Sequence, residues 1–163
     1  MNKTYLLTGG NEGDSLSRLA QARKNIEREA GPIVAASSLY RTAPWGKTDQ
    51  PDFINQALLL ETPLGAPALM ELLLQIEESM GRIRAEKWAS RVIDIDILFF
   101  NDEIVDLPGL VIPHPEIPNR RFALAPLEEI APDLIHPVLG RSIRELLAGC
   151  ADRGNVKKIT TII

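Results

Sequence analysis

The chain of 163 residues contains little cysteine and no long apolar run. Its single cysteine, Cys150, excludes an internal disulfide and suits a reducing compartment. Its longest apolar stretch falls well short of the ~20 residues that a membrane-spanning helix needs. The first residues lead quickly into glycines and contain no signal-like apolar segment with a cleavage site. We therefore expect a cytoplasmic protein that does not enter a membrane.

Several common nucleotide and metal motifs are missing as well. The predicted glycine-rich turn Gly9–Gly13 fails the G-x-G-x-x-G spacing, because Asn11 and Asp14 stand where glycines are required. No Walker A motif is present, and no Cys/His grouping has the spacing of a zinc site. His136 precedes a proline without a surrounding motif, so we interpret it as structural.

The composition is that of a globular protein. Hydrophobic residues make up 45% and charged residues 25% of the chain, which excludes a disordered protein of low hydrophobicity. The length suits one domain over residues 1–163. The formal net charge of −4 argues against non-specific binding of nucleic acid.

The charge is unevenly distributed. Residues 82–91 contain four basic residues and one acidic residue, a net +3, which leaves −7 for the rest of the chain. A cationic segment on an acidic protein indicates an anionic ligand, although a solvated loop would have the same composition.

The order of elements predicts an α+β fold. Alternating and apolar runs predict strands at Lys3–Thr8, Ile33–Tyr40, Phe53–Glu61 and Val92–Phe100. Helical spacing predicts one helix after an Asp14 N-cap and another over Ala66–Met80. Later elements are a strand at Glu103–Asp106 that pairs back on Val92–Phe100 as a hairpin, a short strand at Leu110–Ile112, an Asn119-capped helix over Arg120–Ile130 that is bent or restarted at Pro126, a helix at Ser142–Ala148 and a strand at Val156–Ile163. This is the ferredoxin-like βαββαβ pattern, with a mainly antiparallel sheet, helices on its faces and C-terminal additions.

The segment around Asp94 and Asp96 carries the most chemical information. Apolar residues fill the alternate positions of this strand, so we expect it to be central and buried on both faces. The two carboxylates project from the same face, with Cα atoms about 6–7 Å apart. Such a pair can share divalent cations, and oxygen ligands favour Mg²⁺. The alternative is that both aspartates form ion pairs with nearby arginines.

Other residues near this strand suit phosphate binding. Arg82, Arg84 and Arg91 offer planar guanidinium groups that bind phosphate through two hydrogen bonds. His114, between two prolines, either donates to a phosphate or has no role. Trp88 either covers a flat ring or anchors its loop by packing.

These residues carry a resemblance to a known family. The run from Lys87 to Leu98 resembles the signature of the 6-hydroxymethyl-7,8-dihydropterin pyrophosphokinases of folate biosynthesis. Further segments resemble that family in the same order: Tyr40–Gly46, Asp49–Asn55, Ile76–Glu77, Gly81–Arg84, Pro113–His114 and Asn119–Phe122. The resemblance implies a ferredoxin-like α+β fold, a monomer, and transfer of pyrophosphate from ATP to the hydroxymethyl oxygen of the pterin, which yields AMP and the pterin diphosphate.

The resemblance also implies roles for residues. Asp94 and Asp96 would hold two Mg²⁺ ions and would be catalytic together with Arg82 and Arg91. ATP would be bound by Glu77, Arg84, Trp88, Ile97, His114 and Arg120. The pterin would be bound by Thr42, Pro44, Trp45, Phe53, Asn55 and Phe122, with Phe53 and Phe122 on its two faces and Asn55 at its polar edge.

Two other functions are weighed against this one. A non-catalytic ferredoxin-like module could bind a small ligand, but it has no reason to keep two aspartates in an apolar strand. A nucleotidyltransferase could use the same two metals, but it would release pyrophosphate and no AMP.

Overall fold

The computed structural model describes residues 1–11, 14–42, 52–81, 93–152 and 154–159. The strands in these ranges are β1 (Asn2–Gly10), β2 (Ile33–Ala36), β3 (Tyr40–Thr42), β4 (Phe53–Thr62), β5 (Asp94–Phe100), β6 (Val105–Leu107), β7 (Leu110–Ile112) and β8 (Val156–Lys158). The α-helices are α1 (Ser15–Glu29), α2 (Ala66–Ser79), α3 (Arg121–Ile130) and α4 (Ile143–Ala148), with a short 3-10 helix at Ile117–Asn119 before α3. None of the described helices is both long and apolar enough to cross a membrane.

The main sheet has the strand order β5-β1-β4-β3-β8, and β2 pairs with β4 beside β3. Each pairing described in this sheet is antiparallel. If β2 and β3 are counted as two parts of one strand, the order is that of a ferredoxin-like βαββαβ unit. The predicted α+β fold with a mainly antiparallel sheet is confirmed.

Helices cover both faces of the sheet, so the core has two layers. On one face, α1 and α2 pack against strand residues that include Leu6, Leu58 and Ile95. On the other face, α3 and α4 pack against Leu7 and Phe99. Successive residues of a strand point to opposite faces, which is why one strand contributes to both clusters.

Local side-chain hydrogen bonds define two of the helix starts. Asp14 Oδ1 accepts from Ser17 N at 3.2 Å, as the predicted N-cap requires. Ser142 and Glu145 form a capping box at the start of α4. The predicted cap at Asn119 is wrong, because Asn119 ends the 3-10 helix and Arg120 precedes α3. α3 continues through Pro126 without a restart.

The aspartate strand β5 lies at an edge of the described sheet, and the prediction of a central strand is wrong. Its apolar side chains are nevertheless buried on both faces, because helices cover both. Its outward backbone groups are also satisfied: Ile95 N donates to a carboxylate of α2, and Leu98 O accepts from His114 N at 3.0 Å. An edge strand covered in this way has the same apolar sequence as a central one.

Three other predicted elements differ from the structure. The single strand expected over Ile33–Tyr40 is two strands, β2 and β3, and β3 also pairs with β8. The hairpin partner of β6 is β7 and not the aspartate strand, so these two form a separate small sheet. Gly9 and Gly10 belong to β1 and not to a turn. In each case, long-range pairing overrides the local sequence signal.

Candidate active site

The aspartates of β5 face the α3/α4 side of the sheet. Their neighbours Ile93, Ile95 and Ile97 are buried in the cluster on the opposite face. Asp94 and Asp96 are both half-buried. The structure therefore places the pair on one face, as the alternation of the strand predicts.

A buried glutamate of α2 holds the backbone between the two aspartates. Glu77 is 2% exposed, and its Oε2 accepts a hydrogen bond from Ile95 N at 2.6 Å. A carboxylate that accepts from a backbone N–H makes one of the stronger hydrogen bonds in proteins. This contact fixes the position of β5 relative to α2, and it thereby fixes the positions of Asp94 and Asp96 on either side of Ile95.

An open cleft runs along this face beside Asp96. Three residues predicted for different substrates line it together with Asp96, namely His114, Arg120 and Phe122. Its remaining lining residues are Leu7, Leu98, Glu116, Ile117 and Ala123. The structure therefore brings one predicted metal ligand, two predicted ATP ligands and one predicted pterin ligand to a single cleft.

The ring of His114 is oriented by its own turn. Its Nδ1 accepts from Glu116 N at 3.2 Å, so the neutral ring carries its hydrogen on Nε2. Burial lowers the pKa of His114, while the charge of Asp96 raises it and that of Arg120 lowers it, and the net pKa lies below the usual value. At neutral pH the side chain is an uncharged Nε2–H donor.

Arg120 and Phe122 are held against each other at the start of α3. The guanidinium carbon of Arg120 lies 5.6 Å from the centroid of the Phe122 ring, within the range of a cation–π contact. A group that stacks on this ring therefore lies beside a fixed positive charge. Both residues were predicted site residues, one for each substrate.

Three of the residues predicted to bind the pterin, Thr42, Phe53 and Asn55, lie on the same sheet face, two or three strands from β5. Thr42 pairs with Phe53, and Tyr40 pairs with Asn55. Gly9 of β1 pairs with Asn55 on one side and with Asp94 on the other. At about 4.8 Å between neighbouring strands, Asn55 and Asp94 are about 10 Å apart across Gly9. Sheet register thus places the predicted pterin and metal residues in one row.

Two features of this part of the sheet face indicate a ligand. Within the described ranges, Thr42 Oγ1 is the buried side-chain oxygen or nitrogen that lacks a hydrogen-bond partner. Asn55 is 7% exposed, and its Nδ2 donates to Thr8 O at 3.3 Å, which orients the amide. A buried hydroxyl without a partner costs about 1–3 kcal/mol, so a ligand that bonds to it gains affinity.

Gly9 is a site residue that the sequence interpretation missed. A Cβ at this position would lie 2.2 Å from Asn55 Nδ2, so the amide can occupy its place only above a glycine. The available signal was a glycine at the end of a strand pattern, which often marks the close approach of another group. The glycine-rich composition of Gly9–Gly13 instead favours a turn when the sequence is considered alone.

Six predicted site residues lie outside the described ranges: Arg82, Arg84, Trp88, Arg91, Pro44 and Trp45. Ile97 is described, and its side chain is buried in the core on the α1/α2 face. Among the described residues, no group of three or more His, Cys, Asp or Glu side chains could hold a metal ion.

Comparison with known proteins identifies the family of this chain. The family model for 7,8-dihydro-6-hydroxymethylpterin-pyrophosphokinase matches residues 5–132, well over half of the sequence. The chain belongs to this pyrophosphokinase family. It is 44% identical over 149 residues to the 2-amino-4-hydroxy-6-hydroxymethyldihydropteridine pyrophosphokinase of Methylorubrum extorquens, a match that covers 91% of this chain and 93% of the relative. The protein of the same name from Haemophilus influenzae is 37% identical over 158 residues, covering 96% and 98%.

Solved structures support the fold of the pyrophosphokinase family. The Plasmodium falciparum HPPK-DHPS triple mutant with SDX-DHP superposes with a TM-score of 0.74 at 21% identity. The match covers 90% of this chain but 44% of that one, so this chain spans less than half of the solved protein. An HPPK-DHPS in complex with substrates gives a TM-score of 0.73 at 16% identity, over 91% and 45% of the two chains. At these sequence identities, the structural similarity supports a shared fold and no more.

Proposed function

We infer that the sheet face described above is the place where this chain carries out its family's reaction. The chain transfers pyrophosphate from ATP to 6-hydroxymethyl-7,8-dihydropterin, a step of folate biosynthesis. The assignment to this face is supported by the row Asn55–Gly9–Asp94. In this row the Asn55 amide, proposed to bind the pterin, lies about two strand spacings from the Asp94 carboxylate, proposed to bind metal.

The products define the bond changes. Because AMP leaves, the hydroxymethyl oxygen of the pterin attacks the β-phosphorus of ATP. The bond between that phosphorus and the oxygen that bridges it to the α-phosphate breaks, and the hydroxyl proton is released. Such a transfer depends on positioning and on neutralising charge more than on a strong base.

Asp94 and Asp96 fit the role of Mg²⁺ ligands, and we propose that they hold two ions. Mg²⁺ is usually bound through one or two carboxylates, with the remaining positions filled by water and substrate phosphates. A half-buried pair without further protein ligands in the described ranges meets that description. When bound, Mg²⁺ offsets the phosphate charge and acidifies the attacking hydroxyl.

The nucleotide is proposed to lie along the cleft beside Asp96. His114 donates an Nε2–H to a phosphate oxygen, and Arg120 adds a fixed positive charge there. Ile97 offers the nucleotide only its backbone, since its side chain is in the core. Arg82, Arg84, Trp88 and Arg91 complete the proposed set from outside the described residues, with Arg82 and Arg91 as catalytic residues.

The pterin is proposed to lie over the row of β3, β4 and β1 residues. The Asn55 amide bonds to its polar edge and Thr42 Oγ1 gains a partner, while Phe53 and Phe122 contact its two flat faces. Pro44 and Trp45 belong to the same proposed pocket. Glu77 is proposed to serve the nucleotide side of the site, and its bond to Ile95 supports an action through β5.

Four broader expectations accompany this function. Both core clusters share one sheet, which supports a single domain over residues 1–163. A monomer and a cytoplasmic location stay predictions, as does the absence of nucleic acid binding.

The test identifies products. The protein is incubated with ATP, Mg²⁺ and hydroxymethyldihydropterin, and AMP and a pterin diphosphate are expected. Release of pyrophosphate with a nucleotide adduct would indicate a nucleotidyltransferase, and binding without turnover would indicate a ligand-binding module.

Asp96→Ala should abolish turnover and keep the wild-type melting temperature within a few degrees. Asp106→Ala, at an exposed position of β6, is the matched control and should retain full activity. Retained turnover in Asp96→Ala would refute the metal assignment.

A further inference from the structure

A carboxylate at the end of α3 binds the strand that leads to the pterin residues. Glu129 Oε1 accepts from the hydroxyl of Tyr40 at 2.6 Å. Glu129 Oε2 accepts from Ser38 N at 2.9 Å and from Ser38 Oγ at 3.1 Å. Lys158 Nζ lies 3.6 Å from Oε1. Three hydrogen bonds thus join one side chain of a helix to a short segment beside the sheet edge.

This cluster, which we call the Glu129 clamp (Glu129, Tyr40 and Ser38), connects the two walls of the proposed pterin slot. Tyr40 lies opposite Asn55 in the sheet and two residues before Thr42, so it belongs to the floor of the slot. Phe122 lies seven residues before Glu129 on α3. Seven residues make almost two turns, so both side chains project from about the same side of the helix, about 10 Å apart.

Apolar packing alone does not determine the level of α3 over the sheet. Ala123, Leu124 and Leu127 bury α3 against the core, but such contacts are non-directional. Hydrogen bonds to a carboxylate are short and directional, so they fix the position of the helix along and above the strand. Tyr40 is 6% exposed, so water does not readily replace its bond to Glu129.

The contacts of the Glu129 clamp favour the ionised form of the Glu129 carboxylate. Burial raises the pKa of Glu129, but the hydrogen bonds from Tyr40 and Ser38 and the charge of Lys158 lower it further, so the net pKa is below the usual value. Burial, the hydrogen bond to Glu129 and its charge raise the pKa of Tyr40 well above the usual value. Tyr40 therefore remains a donor and Glu129 an acceptor at neutral pH.

We propose that Glu129 and Tyr40 are positioning residues that set the width of the slot between Phe122 and the Thr42–Asn55 floor, and so control affinity for the pterin. The proposal rests on the pterin site of the proposed function. Neither residue lines the nucleotide cleft beside Asp96, which is also held by the contact between Glu77 and β5.

The test compares Glu129→Gln, Tyr40→Phe and the milder Ser38→Ala, which keeps the backbone N–H donor. Steady-state kinetics give kcat and both KM values. Titration calorimetry gives the pterin Kd in the presence of a saturating ATP analogue that cannot be cleaved. We expect the pterin KM and Kd to rise about five- to twentyfold in Glu129→Gln and Tyr40→Phe, within the range of coupling between distinct sites. The KM for ATP should stay within about twofold of wild type. In Ser38→Ala the rise should be smaller.

Two matched controls isolate the clamp. Tyr5→Phe makes the same change at a tyrosine that packs on Phe99 on the same sheet face. Lys158→Ala removes the half-exposed ion pair and leaves the three hydrogen bonds. Both should leave the pterin Kd within about twofold, since exposed ion pairs contribute little. The double variant Tyr40→Phe/Glu129→Gln should show less than the sum of the two single effects, because both substitutions weaken the contact between Tyr40 and residue 129.

Several outcomes would overturn the proposal. A lower melting temperature with unchanged pterin Kd would assign the clamp to stability alone. A rise in the ATP KM equal to that of the pterin KM would show a general disturbance, and fully additive effects in the double variant would contradict a shared bond. If wild type itself formed no pterin diphosphate, the proposed function would fail, which is a different result from an active wild type with insensitive clamp variants.

Discussion

The substitution Gly9→Ala tests the geometry of the site most directly. The new Cβ would lie 2.2 Å from Asn55 Nδ2 and 3.3 Å from Ile54 O. A carbon and an amide nitrogen in contact are normally about 3.5–4 Å apart, so the Asn55 amide has to move by more than about 1 Å. That movement breaks its bond to Thr8 O, since the bond is already 3.3 Å long.

The expected loss follows from what Asn55 is proposed to do. A displaced amide forfeits about 0.5–1.5 kcal/mol for each hydrogen bond to the pterin, and this cost reaches about 1–3 kcal/mol where the polar edge of the pterin stays buried without a partner. A total of about 1–3 kcal/mol corresponds to a pterin Kd about 5- to 150-fold higher. ATP binding should change little, because the nucleotide cleft lies beside Asp96 and not beside Asn55.

The assay is pterin binding with a non-cleavable ATP analogue, together with kcat and both KM values. Gly65→Ala is the matched control, since a Cβ there meets nothing within 4 Å. Circular dichroism and thermal unfolding establish that both variants fold. A folded Gly9→Ala protein whose pterin Kd is within twofold of wild type would refute the role of Asn55 and the argument from the row.

Two further substitutions probe the proposed pterin site at Thr42 and the contact between Glu77 and the backbone of β5. Thr42→Val removes a buried hydroxyl that has no partner among the described residues, so we expect an equal or higher melting temperature and weaker pterin binding. Thr62→Val, which removes a satisfied bond to Ala30 O, should lower the melting temperature and leave pterin binding unchanged, and the opposite pattern would contradict this reasoning. Glu77→Gln weakens the bond to Ile95 N by about 1 kcal/mol, so we expect kcat to fall about fivefold and the Ile95 amide to exchange faster. Glu71→Gln, at an exposed position of α2, is its control, and a change confined to the KM for ATP would instead indicate that Glu77 contacts the nucleotide.

The prediction of the fold succeeded where local signals and packing agree. The apolar spacing of α1 and α2 and the Asp14 cap are local features, so the sequence predicts them well. The prediction failed where pairing between distant segments of the chain determines the arrangement of the strands. β6 pairs with β7 and not with the aspartate strand, a choice that depends on which partner lies nearby in the folded chain.

The candidate site divides in the same way. Asp94 and Asp96 can be recognised from sequence, because two acids in an apolar strand are costly without a ligand and strand alternation puts them on one face. The part played by Gly9 cannot be recognised in this way, because a glycine has no side chain and its role is to leave room for Asn55. Glu129 likewise looks like an ordinary surface acid of a helix until Tyr40 and Ser38 are placed beside it.

The sequence by itself determined which groups the proposed function can use: an aspartate pair, cationic groups suited to phosphate, and aromatic and amide groups suited to a flat ring. Tertiary structure alone decided which of these groups meet. The register of β1 against β4 and β5 joins Asn55, Gly9 and Asp94 in one row, although they are far apart in the chain. The physical reason is that residue type sets what a side chain can bind, whereas backbone hydrogen bonds between strands set what it can reach.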